Sequence, residues 1–174
     1  MGSISAGLGN CMECWQPPPA GYYKMNIDVA MDTGRRCMGF GWVVRDEFGA
    51  IVGVLMSRIN GLYSVKEAEA MGAREALSWL KQKGWAQVIL ETDAQVVTQA
   101  VYNGEFLIPF GSIIHEIRDL LSDLSSVHFR FVRRSSNTFA HVIAKRALST
   151  VGWERVEYLD SLPRFLSSFG FNLI

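Results

Sequence analysis

The chain has 174 residues, enough for one domain of ordinary size with a substantial core. Hydrophobic residues make up 49% and charged residues 20%, which excludes a disordered chain and indicates a globular protein. Seventeen basic and seventeen acidic residues balance, which argues against nucleic-acid binding driven by bulk positive charge but allows a local basic patch.

The cysteines and the apolar runs bear on the compartment. Three cysteines are too few for a disulfide framework, so we expect a reducing, intracellular environment, nuclear or cytoplasmic. Cys11 and Cys14 have the spacing of half a zinc site, but no second pair lies nearby. No apolar run reaches the ~20 residues of a membrane span, and no secretory signal opens the chain. We therefore expect an intracellular monomer with no membrane association.

The N-terminal third predicts an antiparallel meander. Residues 1–14 form a disordered head, and residues 15–21 (WQPPPAG) form a stiff extended lead-in that either binds a proline-recognition module or packs Trp15 on the domain. Residues 24–30 alternate as a strand, with Asn26 and Asp28 on one face. Residues 38–45 and 50–59 are the next two strands, and Gly39 and Gly41 permit close approach by another element.

A helix follows the meander. Ser64 and Glu67 match a capping box, and Gly84 is a typical helix end, so we expect a helix that ends at about Lys83. Its inner stripe is made mostly of small residues, but it includes Glu69. A buried carboxylate is costly without a partner, so Glu69 is expected to contact either a partner side chain or a metal ion.

The rest of the chain alternates strands and helices. We expect strands at 86–91 and 127–133, with helices at 93–103, from Ser112 as N-cap, and from 139 to about 149. Residues 151–174 form a tail that packs on the domain or extends from it, irregular or in short helical turns. The predicted fold is α/β, a domain over residues 15–150 with a five-stranded mixed sheet, antiparallel for three strands and then parallel, flanked by helices.

Asp93 stands where the fourth strand passes into a helix. One interpretation is an N-cap aspartate. The other places it in the crevice at the carboxyl ends of parallel strands, where α/β sheets carry their chemistry. Asp28 and Glu69 are expected to reach the same crevice. Three convergent carboxylates would bind hard divalent cations such as Mg²⁺, and two such ions can hydrolyse a phosphodiester.

Four segments in order resemble the motifs of a known family. They are WQPPPAG at 15–21 followed by Lys24, Asn26 and Asp28; Ala68 to Leu77 around Glu69; Leu90 to Gln95 around Asp93; and Val132 to His141. From about Trp15 to Ala147 the chain therefore resembles the plant ribonuclease H-like domains related to those of non-LTR retrotransposons, within the type 1 ribonuclease H superfamily.

The resemblance implies a fold, an activity and a set of site residues. The fold would be a ribonuclease H-like mixed sheet, and the activity would be metal-dependent hydrolysis of the RNA strand of RNA–DNA hybrids with Mg²⁺, or alternatively Mn²⁺, as cofactor. Asp28, Glu69 and Asp93 would bind metal, with His141 as a fourth catalytic residue. The residues expected to contact the hybrid through its backbone and 2′-hydroxyls are Asn26, Ser64, Gln95, Arg133, Arg134 and Asn137.

Two positions depart from the family pattern. Val29 replaces the glycine that usually follows the first aspartate, which should cost little if the strand stays regular. His141 replaces the fourth acidic residue, although family members with histidine there do occur. An imidazole suits Mg²⁺ poorly, so the alternatives are an active nuclease or a weak or inactive module that binds nucleic acid or protein, with His141 in the latter case a mere helix-surface residue.

Overall fold

The structure is a computed structural model that describes residues 14–104, 109–150, 155–159 and 163–169. The predicted disordered head therefore lies almost entirely outside the described residues, as does much of the tail. The strands are β1 (Tyr23–Asp32), β2 (Cys37–Arg45), β3 (Ile51–Asn60), β4 (Val88–Thr92), β5 (Val127–Phe131) and β6 (Val156–Tyr158). The α-helices are α1 (Val65–Lys83), α2 (Gln95–Asn103), α3 (Phe110–Asp123) and α4 (Thr138–Ala147). Two 3₁₀ helices span Arg134–Ser136 and Arg164–Phe169.

The strands form one mixed sheet in the order β5-β4-β1-β2-β3-β6. β1, β2 and β3 pair antiparallel, whereas β4 pairs parallel to both β1 and β5, as expected when helices connect the strands. The predicted count of five strands is wrong, because β6 adds a sixth that pairs antiparallel with β3. Three residues are too few for a period-2 pattern to stand out, which is why the sequence did not reveal β6.

Helices cover both faces of the sheet. α1 packs on one face through its small residues and contacts β1 and β2. α4 packs on the opposite face and contacts β1, β2 and β3. Every residue of the central strand β2 is buried as a result. The two faces of β1 are therefore both buried, so the alternation of polar and apolar residues there separates two interiors rather than core from solvent.

Gly39 and Gly41 allow α4 to lie directly on the backbone of β2, as the sequence predicted. A Cβ atom at Gly39 would lie 2.3 Å from the carbonyl oxygen of Ala144. A Cβ atom at Gly41 would lie 2.3 Å from the amide nitrogen of Ala144 and 2.5 Å from the carbonyl oxygen of Ala140. No real side chain fits at such distances, so only glycine permits this contact.

The predicted helix ends are confirmed for α1 and wrong for α3. Ser64 and Glu67 form the reciprocal capping box, and Gly84 ends α1 in the left-handed conformation with φ 72°. α3 begins at Phe110, with Pro109 at the N-cap position. Ser112 therefore lies within the first turn and does not cap the helix. The first-turn polar residue at 112 resembled an N-cap because residues before it lack a helical pattern.

Two further observations concern the predicted environment. Cys14 is disulfide-bonded in the structure, so its thiolate is not available as a zinc ligand, whereas Cys37 is a buried free thiol. Among the described residues, the helices are all too short or too polar to span a membrane.

Candidate active site

The three predicted carboxylates, Asp28, Glu69 and Asp93, line a single cleft of about 500 Å³. Asp28 lies on β1, Glu69 in the second turn of α1 and Asp93 directly after β4. The parallel pairing of β1 with β4 explains why the two aspartates share this cleft. It sets Ile27 opposite Thr92, so the residue that follows each lies at the same edge of the sheet.

Glu69 is the most strongly perturbed group of the cleft. Its Oε2 atom is buried and has no hydrogen-bond partner. Burial, together with the nearby Asp28 and Asp93 carboxylates, raises the pKa of Glu69 to about 9, opposed only by the positive charge of Arg134. The side chain therefore lies where a cation would be favourable, since a positive charge would satisfy the free oxygen and offset all three effects.

Asp93 does not cap α2, so the interpretation of this residue as an N-cap is wrong. The N-cap of α2 is Ala94, and no side chain caps the helix. The backbone N–H of Ala94 donates instead to the hydroxyl oxygen of Thr92, at 3.1 Å. Asp93 accepts a hydrogen bond at Oδ1 from the amide Nδ2 of Asn137, at 3.0 Å. Asp93 also lines the cleft.

His141 contacts the carboxylate cluster directly. It lies in the first turn of α4, and its Nδ1 atom is 2.6 Å from Oδ2 of Asp28. Burial and the proximity of Asp93 raise the pKa of Asp28, whereas the hydrogen bond with His141 lowers it. Arg134 stands 3.5 Å from the same imidazole nitrogen. His141 is thus joined to Asp28 and is not a mere helix-surface residue.

The side chains of the candidate site lie side by side but do not converge on one point. In the part of the chain that the structure describes, no three His, Cys, Asp or Glu side chains are arranged around one point as ligands. One Asp28 oxygen is engaged by His141, and one Asp93 oxygen by Asn137. The predicted convergence on a metal ion thus stays a prediction, which the free oxygen of Glu69 and the oxygen-rich donor set support.

The residues predicted to bind substrate separate into four groups. Gln95 and Arg134 are exposed and line the cleft. Ser64 is exposed, but its hydroxyl is engaged with Glu67 in the capping box. Arg133, although adjacent to Arg134, lines a different pocket on the α4 face of the sheet.

The remaining two, Asn26 and Asn137, have structural contacts in place of the predicted contact with substrate. Asn26 is 1% exposed; its Oδ1 accepts from Trp15 and its Nδ2 donates to Glu91, both at 2.9 Å. Asn137 is also 1% exposed, and its Nδ2 donates to the carbonyl oxygen of Ile27 at 2.8 Å as well as to Asp93. Asn137 therefore fixes the position of Asp93 relative to β1.

One feature near the site was not predicted. A buried charged cluster on the α4 face contains Lys24, Arg45 and Glu91, all 4% exposed or less, with Asn26 and Trp15 beside them. The available signal was Glu91, a carboxylate inside an otherwise apolar strand, together with Lys24 and Asn26 at alternate positions of β1. These residues share one face of adjacent strands and hence must meet.

A sequence profile of the reverse transcriptase-like family matches residues 26–147, well over half of the chain. The chain belongs to the reverse transcriptase-like family. The match begins at Asn26, two residues before Asp28, and ends at Ala147, so it includes all four residues of the candidate site. A comparison of the chain with curated proteins found no match.

Solved structures place this reverse transcriptase-like chain in the ribonuclease H-like fold. RNase H1 from Halobacterium salinarum is 23% identical, with a TM-score of 0.65 over 74% of this chain and 98% of that one. The N-terminal RNase H domain of a Mycobacterium tuberculosis protein is 18% identical, with a TM-score of 0.63 over 73% and 93%. LC11-RNase H1, isolated from compost, solved in complex with an RNA/DNA hybrid, is 17% identical, with a TM-score of 0.60 over 73% and 99%.

Proposed function

We propose that this protein is a metal-dependent endonuclease that hydrolyses the RNA strand of RNA–DNA hybrids. The single observation that carries the proposal is the shared cleft of Asp28, Glu69 and Asp93, in which a Glu69 oxygen is buried without a partner. Carboxylates that share a cleft repel one another when ionised, so a bound cation would favour their charged forms.

The comparisons support an RNA–DNA hybrid as the substrate. LC11-RNase H1, which shares the fold, was solved with an RNA/DNA hybrid bound. The cleft of the present chain is open and is lined by Gln95 and Arg134, which can donate hydrogen bonds to sugar hydroxyl and phosphate oxygens. We infer that the cleft receives the RNA strand of such a hybrid.

The cleft residues fit hard divalent cations. Asp28, Glu69 and Asp93 would hold them, and the donor set of carboxylate oxygens suits Mg²⁺, with Mn²⁺ as an alternative that also accepts an imidazole nitrogen. When bound, such ions activate a water molecule and stabilise the leaving oxygen of a phosphodiester.

The other residues of the cleft orient these ligands. Asn137 holds Asp93 against β1 through its two hydrogen bonds. Arg134 lowers the net negative charge near Glu69 and would contact a phosphate of the bound strand. His141 is hydrogen-bonded to Asp28 and is placed to carry a proton to or from the reacting strand.

A cleavage assay with end-labelled strands tests the proposal. The expected result is fragmentation of the RNA strand of a hybrid in the presence of Mg²⁺ or Mn²⁺, with the DNA strand, single-stranded RNA and double-stranded DNA left intact. Asp93→Asn should abolish cleavage. The matched control is Asp119→Asn, since Asp119 has a side chain 70% exposed on α3, away from the cleft.

Two results would contradict the proposal. Equal cleavage by wild type and Asp93→Asn would mean that a contaminating nuclease or another site acts. If a protein that melts cooperatively, and is therefore folded, cleaves no hybrid with either ion, the chain has the fold but not the proposed nuclease activity.

One observation favours a second candidate function, a weak or inactive module that binds nucleic acid or a protein partner. The short contact between His141 and Asp28 takes one carboxylate oxygen from the metal-binding set. A carboxylate at residue 141 would add an oxygen ligand, whereas the imidazole competes for Asp28. Hybrid binding without cleavage, restored to cleavage by His141→Asp, would establish this second function.

A further inference from the structure

A second pocket lies beside the carboxylate cleft. It has a volume of about 230 Å³ and is lined by, among others, Trp15, Lys24, Glu91, Arg130 and Arg133. The two share no lining residue in the part of the chain that the structure describes. The segment between β5 and α4 separates the two, with Arg133 lining the pocket and Arg134 lining the cleft.

Among the described residues that line the pocket, positively charged side chains outnumber negatively charged ones. Glu91 is the carboxylate among them, and both of its oxygens are already engaged. Oε1 of Glu91 accepts from Arg130 Nε at 3.0 Å and Nη2 at 2.6 Å and lies 3.2 Å from Lys24 Nζ, while Oε2 accepts from Asn26. The positively charged side chains of the described wall are Lys24, Arg130 and Arg133. Because both oxygens of Glu91 already accept hydrogen bonds, an anion that enters the pocket would meet mainly positive charge.

A further cation lies behind the pocket. Arg45 is 4% exposed, and its guanidinium carbon lies 4.2 Å from the ring centroid of Trp15 and 4.1 Å from that of Phe139. This stacking fixes the guanidinium in place without neutralising it. Burial lowers the pKa of Arg45 to about 10 despite the favourable field of Glu91, and burial likewise lowers the pKa of Lys24. The lowered pKa values show that Glu91 does not fully offset the cost of burying the positive charges of Lys24 and Arg45.

The exposed part of the pocket determines what can reach it. Arg130 has a side chain 52% exposed, and Arg133 is exposed at the end of β5. Each presents donors to a ligand that arrives from solvent, whereas Lys24 and Arg45 add fixed charge behind them. Guanidinium groups around a small polar cavity match the tetrahedral oxygens of a phosphate.

We infer that this pocket binds a backbone phosphate of the same nucleic acid that the carboxylate cleft receives. The inference rests on the proposed function and extends it, because the adjacent arginines Arg133 and Arg134 would hold one bound nucleic acid from the two sides of their loop. It also explains how a chain with no net charge binds a polyanion, since its positive charge is concentrated where a phosphate lies. Such a contact fixes the register of the duplex and does not read its sequence.

The experiment measures the affinity for a short RNA–DNA hybrid across a range of salt concentrations, in the Asp93→Asn background so that no cleavage occurs. The variants are Arg130→Gln and Arg133→Gln. The control is Lys145→Gln, which removes the same charge from an exposed position on α4 that does not line the pocket. Arg130→Gln leaves Glu91 paired with Lys24 and Asn26, so the fold should survive; thermal melting of each variant checks this.

Each pocket variant is expected to weaken hybrid binding roughly tenfold. Each should also lower the slope of log affinity against log salt by about one, the loss of one phosphate contact. Lys145→Gln should change neither quantity beyond the small general effect of one surface charge. Equal affinities and equal slopes for the pocket variants and the control would overturn the inference.

The indole N–H of Trp15 provides a second readout, because it donates to Asn26 at the wall of the pocket. Its NMR resonance should shift when the hybrid is added to the Asp93→Asn protein, and the shift should be lost in Arg130→Gln. Binding and a Trp15 shift in a wild-type protein that does not cleave would support the pocket and refute the nuclease. Cleavage with no Trp15 shift would support the nuclease and refute the pocket, and no binding of the hybrid at all would refute both.

Discussion

Replacement of Glu69 by glutamine is expected to stabilise the protein in the absence of divalent cations. In the folded protein the pKa of Glu69 is raised to about 9 from its ordinary value of 4.5, mainly by burial. Folding disfavours the charged form of this side chain. Below pH 4.5 the carboxyl is protonated in both the folded and the unfolded state, so Glu69 does not lower the free energy of unfolding there. The cost then grows by about 1.36 kcal/mol per pH unit as pH rises towards 9.

The size of the effect at pH 7 follows from these values. Neutral pH lies about 2.5 units above 4.5, so Glu69 costs at most about 3 kcal/mol there. Glu69→Gln removes the ionisation and keeps the shape, and its buried oxygen has no hydrogen bond to lose. The variant should therefore gain about 2 to 3 kcal/mol in free energy of unfolding at pH 7 and nothing near pH 4.

Urea unfolding followed by tryptophan fluorescence, in the presence of EDTA and at both pH values, measures this difference. The control is Glu116→Gln, an exposed glutamate of α3 paired with Arg74, which should change stability by less than about 1 kcal/mol at both pH values. Adding Mg²⁺ at pH 7 should stabilise the wild type more than Glu69→Gln. A variant no more stable than the wild type at pH 7, or equally stabilised at pH 4, would refute the charge argument for the cleft.

Three further substitutions test separate parts of the structure. Asp93→Asn should leave the apo melting temperature unchanged or higher, because it removes one of several like charges and caps no helix; a clear fall would assign Asp93 a structural role. His141→Asp should raise the Mg²⁺-dependent cleavage rate relative to the Mn²⁺-dependent rate in a gel assay, whereas a loss of both would give the imidazole its own catalytic part. Gly41→Ala should lower the free energy of unfolding in urea by about 3 kcal/mol or more, since the new Cβ meets the backbone of Ala144 at 2.3 Å. Gly34→Ala, whose new Cβ would lie 3.5 Å from Oδ1 of Asp32, should change it by less than about 1 kcal/mol and serves as its control.

The local patterns of the sequence predicted the elements that carry the carboxylates. Alternation in β1 placed Asp28 and Ile27 on opposite faces of the strand. The helical period placed Glu69 on the packed stripe of α1. The capping box and Gly84 gave the limits of α1 because cap residues act within one turn of the helix. These predictions needed no knowledge of which elements lie side by side.

What the sequence did not predict depends on contacts between distant residues. Asn137 bonds to the backbone of Ile27, 110 positions earlier in the chain, so its structural role follows only from the packing of α4 on β1. The charged cluster of Lys24, Arg45 and Glu91 likewise joins three strands. The contact between His141 and Asp28 spans 113 positions and is equally invisible to local pattern. Each of these contacts requires the strand order and the helix position to be known first.

The backbone seat of α4 on Gly39 and Gly41 has a consequence for how the site can evolve. α1 rests on the sheet through side chains, so changes in core volume can move Glu69 by fractions of an ångström. At Gly39 and Gly41, α4 rests on the strand backbone itself, and neither position admits a larger residue, whereas elsewhere α4 packs through side chains such as Ile143. These two backbone contacts fix how closely the helix that carries His141 approaches the sheet. A change of chemistry at this position of the site therefore comes most directly from replacement of residue 141 itself, a single step that leaves the two glycine contacts of the helix unchanged.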